Sequence, residues 1–399
     1  MSTDVVSNRI KSLSESQTIQ MNQKSRELQE SGVDVINLTL GEPDFNTPQH
    51  IKDAAVKAIN NNLSHYPPVA GFPDLKKAIV DKLSTDNGLD YRPDQIVVSA
   101  GAKHSLANVL QCIIDKEEEV IIPAPYWVSY IELVKLAEGT PVIIDAGVET
   151  KFKITAEQLE KSITPNTKAI LFNSPSNPTG SVYSYDELKA IAEVLERHPH
   201  VYIISDEIYE KINFVGKHVG LAEFSPLKDR TIVINGASKG YAMTGWRIGY
   251  IAAPAPIAKA VTKLQGQFTS GVCSIAQAAS IQAFAGDQQC VEDMRVAFSK
   301  RRDLVLDLVK DIDGFKVAVP EGAFYIFPDI SSYFGKSNGD VTINTSMDMS
   351  MYLLEKAHVA SVPGSAFGSN NCVRFSYAAA DDLLIKAFNR VKEALSKLH

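Results

Sequence analysis

The feature that most constrains the fold is an alternation of short apolar runs and helical stretches between about residues 72 and 255. The runs are rich in Val and Ile and lie at 96–99, 120–123, 142–145, 169–172, 201–205, 231–235 and 249–252. They are apolar on both faces, which is typical of strands buried in a parallel or mostly parallel sheet. Helical patterns near 73–84, 103–115, 126–137, 155–162 and 185–197 separate them. Strands that alternate with helices predict a doubly wound α/β domain.

The pattern changes after about residue 290. A long charged helix is predicted at 291–311, strands near 323–328 and 372–377, and a final helix from about Asp381. This part predicts a smaller α+β domain, which a helix near 18–31 is expected to join. We therefore expect an N-terminal arm that contributes to the small domain (1–47), a large domain (48–289) and a small C-terminal domain (290–399).

The segment between the arm and the large domain has its own signals. A short strand is predicted at 33–40, followed by a turn at 41–44. A helix is then expected to begin with Thr47 as its N-cap and Pro48 as its first residue, because a hydroxyl and a proline favour these two positions.

Composition and short motifs argue against several classes of protein. The 399 residues are enough for two domains. The net charge of −7 is unlike the basic excess of nucleic-acid binders. No stretch approaches the roughly 20 apolar residues that span a bilayer, and the N-terminus lacks an apolar signal region, so we expect a cytoplasmic protein. The four cysteines form no CxxC pair, which predicts reduced thiols and no metal site. No GxGxxG or complete P-loop supports a nucleotide-binding enzyme.

Two polar segments follow predicted strands, where ligands bind in open α/β sheets. Asp206 follows the run 201–205, and its carboxylate can pair with a protonated ring nitrogen; the alternative is a helix N-cap. Asn177 lies in an irregular loop at 173–180 that contains two prolines and a glycine, and it can donate a hydrogen bond from there. The alternative for Asn177 is a plain turn, since Asn-Pro is a frequent turn dipeptide.

The stretch 236–250 combines an amine and a guanidinium after another predicted strand. Lys239 has few charged neighbours, and a desolvated lysine there has a lowered pKa and acts as a nucleophile. Arg247 offers a bidentate fork for a phosphate. The alternative for Lys239, taken alone, is a lysine in a surface loop.

Three further residues suit a planar, anionic ligand. Gly101 lets the backbone approach an anion at a helix N-terminus, although many such turns contain glycine. Trp127 can stack on a planar ring; the alternative is a core aromatic. Arg374 lies inside an apolar strand, which is costly without a partner, so it suits a substrate carboxylate or an internal salt bridge.

Together these six segments resemble the fold-type I aminotransferases of class I, and most closely the bacterial aspartate aminotransferases. The resemblance runs from about Thr18 to the C-terminal helix, in the family's order and at its spacings. It implies a large domain with a mostly parallel seven-stranded sheet between helices, a smaller α+β domain, and pyridoxal 5′-phosphate as the cofactor. The reaction implied is the reversible transfer of the amino group of L-aspartate to 2-oxoglutarate by a ping-pong mechanism.

The resemblance also implies a set of cofactor-binding residues. Lys239 is the catalytic lysine that forms a Schiff base with the cofactor, Asp206 pairs with the pyridine nitrogen and Trp127 stacks on the ring. Tyr66 reaches the phosphate of the neighbouring subunit, which implies a homodimer with shared active sites. The whole set comprises Ala102, Lys103, Trp127, Asn177, Asp206, Tyr209, Ser238, Lys239, Arg247 and Tyr66. One departure is Gly236, where many relatives carry a hydroxyl residue that contacts the phosphate.

A second set is implied for the substrate. Arg374 and the backbone at Gly41 bind its α-carboxylate, and Lys103 and Thr18, with Ser16 nearby, bind its distal carboxylate. The alternative for Lys103 is a purely backbone role. The whole set comprises Gly41, Trp127, Asn177, Arg374, Lys103 and Thr18.

Other activities on the same scaffold stay open. They include aromatic amino acid or prephenate transamination, and C–S lyase or synthase chemistry. A non-catalytic cofactor-binding regulator is disfavoured by the acidic chain and by a resemblance that starts within about 20 residues of the N-terminus.

Overall fold

The computed structural model describes residues 5–15, 17–339 and 341–399. Its strands are β1 (Ile36–Asn37), β2 (Ile96–Ser99), β3 (Glu119–Ala124), β4 (Thr140–Asp145), β5 (Thr167–Asn173), β6 (Tyr202–Asp206), β7 (Thr231–Gly236), β8 (Gly249–Ala252), β9 (Tyr325–Ile326), β10 (Ser337–Asn338), β11 (Val341–Thr342), β12 (Val359–Ala360), β13 (Val362–Pro363) and β14 (Val373–Ser376). Its α-helices are α1 (Asn8–Lys11), α2 (Gln17–Glu30), α3 (Gln49–Asn60), α4 (Pro73–Lys82), α5 (Ala102–Ile113), α6 (Ser129–Leu136), α7 (Ala156–Ser162), α8 (Tyr185–Arg197), α9 (Ala255–Phe268), α10 (Ser274–Ala285), α11 (Gln289–Lys310), α12 (Ser346–Tyr352) and α13 (Asp381–Leu395).

A seven-stranded sheet in the order β2-β8-β7-β6-β5-β3-β4 forms the centre of the fold. Strand β8 is antiparallel to both of its neighbours, and all other pairs from β7 to β4 are parallel. Strands β2, β7 and β8 are buried at every residue. The predicted α/β fold with a mostly parallel seven-stranded sheet is confirmed.

Helices cover both faces of this sheet. On one face α3, α4 and α10 pack together over the β2 end. Elsewhere α5 packs against α9, and α8 buries an apolar stripe over β5 and β6. Helix α8 begins with a capping box in which Ser184 and Glu187 exchange hydrogen bonds, which satisfies backbone amides that the helix itself leaves free. No helix in the described part of the chain is long and apolar enough to cross a membrane.

A second hydrophobic core lies around the short strands β9, β13 and β14, which form a three-stranded antiparallel sheet. Helices α11 and α13 pack on one another beside it. The arm adds Ile36 and Leu38 to this core, and β1 pairs with β12 in parallel. The domain boundaries near residues 48 and 290 stay a prediction.

Three local expectations need correction. Thr47 is not an N-cap: the cap of α3 is Pro48, without a side-chain hydrogen bond. The Thr47 hydroxyl instead donates to the carbonyl of Ala242 (2.7 Å) and accepts from the Trp246 ring nitrogen (3.0 Å). The strand expected at 33–40 is only two residues long. Asp206 caps no helix, since irregular turns follow β6.

Candidate active site

A cavity of about 340 Å³ lies at the carboxyl ends of the parallel strands. Asn173 and Asp206, the last residues of β5 and β6, are paired in register and both line it. Twelve of the thirteen residues in the predicted cofactor and substrate sets line the same cavity: Thr18, Gly41, Ala102, Lys103, Trp127, Asn177, Asp206, Tyr209, Ser238, Lys239, Arg247 and Arg374.

Lys239 follows β7 and points its amine into this cavity. Its Nζ donates a hydrogen bond to the carbonyl oxygen of Gly41 at 2.5 Å. Burial lowers the pKa of Lys239 to about 8; Glu42 opposes this shift, whereas the positive charges of Arg374 and Arg247 reinforce it. An appreciable fraction of the amine is therefore neutral near pH 7, as a nucleophile requires. The alternative of a lysine in a surface loop does not apply.

Asp206 is held by hydrogen bonds at both carboxylate oxygens. The hydroxyl of Tyr130 donates to Oδ2 at 2.6 Å, and the backbone amide of Ile208 donates to Oδ1 at 3.2 Å. Burial raises the pKa of Asp206 to about 6, while these two donors act in the opposite direction. A cationic partner in the cavity would favour the ionised form.

Arg374 is buried, and no carboxylate of residues 5–15, 17–339 or 341–399 forms an ion pair with it. It donates to Asn177 Oδ1 at 2.9 Å and to the carbonyl oxygen of Thr39 at 2.6 Å. Its guanidinium lies 4.5 Å from the ring centroid of Tyr325. Its Nε is buried with no hydrogen-bond partner among the described residues. The arrangement favours the carboxylate-binding interpretation over an internal salt bridge, because the charge has neutral partners and a free donor.

A hydroxyl and amide network connects this arginine to the strand ends. The hydroxyls of Tyr209 and Tyr325 are 2.8 Å apart, and Asn177 Nδ2 donates to Tyr209 at 3.5 Å. The backbone amide of Asn177 donates to Asn173 Oδ1 at 2.9 Å. Asn177 is thus fixed by tertiary contacts, which a plain turn would not provide.

The start of α5 forms an anion cradle with Arg247. Gly101 caps the helix with φ of +88°, a backbone conformation that favours glycine. A Cβ on Gly101 would lie 2.5 Å from Arg247 Nη2, so the close approach of backbone and guanidinium needs a residue without a side chain. Arg247 donates to the carbonyls of Thr244 (2.8 Å) and Ala100 (3.2 Å). Helix N-termini and guanidinium groups both attract anions.

The structure gives a physical reason for the glycine at position 236. Gly236 pairs with Gly249 across β7 and β8, and a Cβ at Gly236 would lie 2.5 Å from the carbonyl oxygen of Ile248. In this chain a hydroxyl residue does not fit there without a shift of the neighbouring strand.

One wall of the cavity combines an aromatic ring and a cation. Lys103 Nζ lies 4.8 Å from the centroid of Trp127, a cation–π distance. Burial lowers the pKa of Lys103, and the charge of Arg247 adds to this effect. Thr18 Oγ1 is buried with no partner among the described residues, which leaves it available to a ligand. Ser16 lies outside the described residues.

Tyr66 is not brought into this cavity. Its side chain is 91% exposed, and it lines a separate surface cavity with residues such as Pro67 and Ser270. Its role toward a neighbouring subunit stays a prediction.

Among the lining residues that the sequence did not single out are three with polar groups in the hydrogen-bond network of the site: Tyr130, Asn173 and Tyr325. Tyr130 lies three residues after Trp127, so the two would share a face of the helix predicted at 126–137, which was the signal available. In the structure α6 begins only at Ser129, and Trp127 precedes it. Tyr325 lies in an apolar strand, where nothing in the sequence distinguishes it from a core aromatic.

Comparisons with known proteins agree with this geometry. The family model for class I and class II aminotransferases matches residues 33–390. The chain is 50% identical to an aspartate aminotransferase from Geobacillus stearothermophilus, over 96% of this chain and 97% of the relative. It is 47% identical to a probable aspartate/prephenate aminotransferase from Rickettsia bellii, over 99% of this chain and 100% of the relative.

Two solved structures are similar over nearly the whole chain. The crystal structure of an aspartate aminotransferase from Rhizobium meliloti has a TM-score of 0.96 and 44% identity, covering 99% of each chain. An aspartate aminotransferase from Thermus thermophilus with maleate has a TM-score of 0.92 and 39% identity, covering 98% of this chain and 99% of the other.

Proposed function

Because the chain belongs to the family of class I and class II aminotransferases, we propose that it transfers the amino group of L-aspartate to 2-oxoglutarate with pyridoxal 5′-phosphate as its cofactor. The observation that carries the proposal is one cavity that holds Lys239, Asp206 and Arg374 together. The names of the relatives at 46–50% identity support aspartate as the donor.

The donor set fits pyridoxal phosphate. Its phosphate requires an anion cradle, which the start of α5 and Arg247 provide. Its pyridinium nitrogen requires a buried carboxylate, and Asp206 lies at a strand end with a pKa of about 6. Its aldehyde requires a partly neutral amine, which Lys239 supplies. Trp127 offers a flat ring at the same cavity. When bound, the cofactor acts as an electron sink for the charge that develops at the substrate Cα.

The chain's own residues then perform binding and proton transfer. Arg374 binds the α-carboxylate with the help of Asn177, and so fixes the substrate Cα relative to Lys239. The neutral Lys239 amine removes the Cα proton as a general base and later returns a proton as a general acid. Asp206 would hold the pyridine nitrogen of the cofactor, and a protonated nitrogen there would favour the ionised carboxylate, since opposite charges favour both charged forms. Two half-reactions at one site predict parallel lines in two-substrate initial-rate plots.

Choice of the dicarboxylic substrate is assigned to Lys103, with Thr18 beside it. The amine of Lys103 lies at the cavity over the Trp127 ring and has no carboxylate partner among the ion pairs of the described residues. Replacing Lys103 with alanine is expected to raise KM for aspartate much more than KM for an aromatic amino acid. Equal effects on both would contradict the assignment.

A second candidate is transamination of prephenate or aromatic amino acids. It is favoured by the relatives named aspartate/prephenate aminotransferase at 46–49% identity. Trp127 and Tyr325 offer aromatic surface at the same cavity. Rates with aspartate, phenylalanine and prephenate, measured side by side, separate the two.

The quaternary structure is part of the proposal. We infer a homodimer in which exposed Tyr66 of one subunit reaches the cofactor phosphate of the other, and we place the enzyme in the cytoplasm. Sedimentation of the wild-type protein tests the dimer, and Tyr66→Phe tests the contact through the affinity for the cofactor.

The deciding experiment is an absorbance spectrum of the purified protein before and after L-aspartate is added. We expect a near-ultraviolet or visible band that shifts with aspartate and returns with 2-oxoglutarate. A band that does not change when aspartate is added would instead favour aromatic donors or lyase chemistry. No band, even with added pyridoxal phosphate, would contradict the role of Lys239.

A further inference from the structure

The segment that carries Asp206 and Tyr209 also carries two buried carboxylates that do not line the active-site cavity. Glu207 is 2% exposed and Glu210 is 8% exposed. Asp206 and Tyr209 line the cavity, whereas Glu207 and Glu210 contact groups outside it. The same segment therefore places two side chains in the active-site cavity and buries two carboxylates on the side away from it.

Two basic side chains meet these carboxylates. Lys82, the last residue of α4, forms a buried ion pair with Glu210 and donates to Asn87 Oδ1 at 2.9 Å. Asn87 in turn donates to Glu210 Oε2 at 3.2 Å. His218 Nε2 lies 3.1 Å from Glu207 Oε2. We call Lys82, Glu207, Glu210 and His218 the rear cluster.

The rear cluster is charge-balanced by the protein itself. Burial opposes ionisation of Glu210, but the charges of Lys82 and His218 outweigh it and lower its pKa to about 2. Burial also opposes protonation of His218, but Glu207 and Glu210 outweigh it and raise its pKa. Two carboxylates thus face a lysine and a histidine whose pKa they raise, which is the arrangement that lowers the cost of buried charges.

The side chain and the backbone of Glu207 are both in close contact with neighbouring groups. Ser205 Oγ donates to its Oε1 at 2.8 Å, and its backbone amide donates to the carbonyl of Ile234 in β7 at 2.9 Å. A Cβ on Gly220 would lie 2.5 Å from Glu207 Oε1, so the backbone of the following loop also closes over the carboxylate. These contacts fix the peptide between Asp206 and Glu207 relative to two strands.

The cluster also acts on Asp206 through charge. The negative charge of Glu207 is one of the influences that raise the pKa of Asp206. His218 offsets that charge from the far side. Three further groups near the cluster, Tyr91, Tyr250 and Glu223, have pKa values raised in part by Glu207. Asp86 lies 3.9 Å from Lys82 and 2.6 Å from Lys211, and the charge of Lys211 helps to lower the pKa of Glu210.

We propose that the rear cluster is a positioning element of the active site, which fixes the segment 206–210 and sets the electrostatic potential at Asp206. The proposal rests on the proposed function, because the absorption band of the bound cofactor reports the potential at Asp206. It assigns no direct contact with substrate or cofactor to Lys82, Glu207, Glu210 or His218.

Opposite effects of two substitutions follow from this. Glu207→Gln removes the negative charge beside Asp206, so the potential at Asp206 becomes less negative. The pKa of His218 falls in this variant and offsets part of the change, but Glu210 still favours its cationic form. His218→Gln leaves Glu207 unpaired, so the potential becomes more negative. Both variants break the same ion pair, and both are expected to lower the unfolding temperature.

The test is a pH titration of the absorption band of each variant loaded with pyridoxal phosphate. Relative to wild type, we expect the proton affinity reported by the band to fall with Glu207→Gln and to rise with His218→Gln, each by roughly threefold to tenfold. Glu210→Gln, which removes the carboxylate that pairs with Lys82, is a second variant expected to act like Glu207→Gln. Glu187→Gln is the control, since it also breaks an ion pair, with Lys153 (2.6 Å), but neither residue lines the cavity or belongs to the rear cluster. It is expected to leave the band unchanged.

Shifts in the same direction for Glu207→Gln and His218→Gln, or no shift beyond that of Glu187→Gln, would overturn the proposal. A wild-type protein that shows no band would contradict the proposed function instead. In that case infrared titration of the Asp206 carboxyl in the cofactor-free proteins, assigned with Asp206→Asn, decides: opposite displacements support the positioning role and equal ones refute it.

Discussion

Replacing Tyr130 with phenylalanine is expected to destabilise the protein more at neutral than at acidic pH. The Tyr130 hydroxyl donates to Asp206 Oδ2 at 2.6 Å, and both side chains are buried. Phenylalanine keeps the ring and its edge contact with Trp127, where the centroids are 5.5 Å apart. The substitution therefore isolates the hydrogen bond to the carboxylate.

The magnitude follows from the pKa of Asp206. An unfolded aspartate titrates near pH 3.9, and burial raises the folded value to about 6. The native state therefore binds the proton more tightly than the unfolded state. Above pH 6, ionised Asp206 lowers the free energy of unfolding by about 3 kcal/mol. This destabilisation disappears as the pH falls from about 6 to about 4. A hydrogen bond to a charged group contributes about 1.5–3 kcal/mol and a neutral one about 1 kcal/mol. Tyr130→Phe is expected to cost about 2–3 kcal/mol near pH 7.5 and about 1 kcal/mol near pH 5.

The assay is urea unfolding of the cofactor-free proteins at both pH values, followed by circular dichroism and compared at constant slope. Tyr183→Phe is the matched control, because the Tyr183 hydroxyl accepts from the amide of Ile154 at 2.8 Å rather than donating to a carboxylate. Its cost is expected to be the same at both pH values. A loss for Tyr130→Phe that is equal at the two pH values, or larger in acid, would refute the reasoning.

Two further predictions concern the cofactor. Gly101→Ala is expected to weaken binding of pyridoxal phosphate about tenfold or more, since the new Cβ displaces Arg247 and φ is +88°. Equilibrium titration with the cofactor measures this affinity. The control is Gly216→Ala, which has φ of +117° and open space around it and should bind the cofactor as wild type does. The cofactor-free protein is expected to bind pyridoxal phosphate about tenfold faster for each pH unit below the Lys239 pKa of about 8, because only the neutral amine attacks. Above this pKa the rate is expected to level off. A rate that keeps rising to pH 10 in stopped-flow absorbance would contradict the lowered pKa.

The central sheet could be read from the sequence because its strands are buried on both faces. The runs at 96–99 and 249–252 coincide with β2 and β8, and the other five agree within three residues at each end. The length of the strand predicted at 33–40 was overestimated. An apolar run does not show how many of its residues pair with a neighbouring strand, and here only two do. No element was predicted from the sequence in the region of α9; Pro254 and Pro256 stand at the N-terminus of this helix, where proline is tolerated.

The site was predictable where a polar group follows a strand, as Asp206 and Lys239 do. It was not predictable where function depends on tertiary contact. Thr47 looked like a cap, but its hydroxyl bonds to residues about 195 positions away. Tyr130 looked like an apolar helix residue, because sequence spacing cannot show that a buried carboxylate lies opposite its hydroxyl.

The cavity draws its walls from positions as distant as Thr18 and Arg374. During synthesis, domains generally fold from the N-terminal side first. A nascent chain that has emerged only as far as β8 contains Lys239 and Asp206 but not α9 and α10, which pack on the central sheet, and not Arg374. Of the three residues on which the proposed function rests, the one proposed to bind the α-carboxylate is therefore the last to be synthesised.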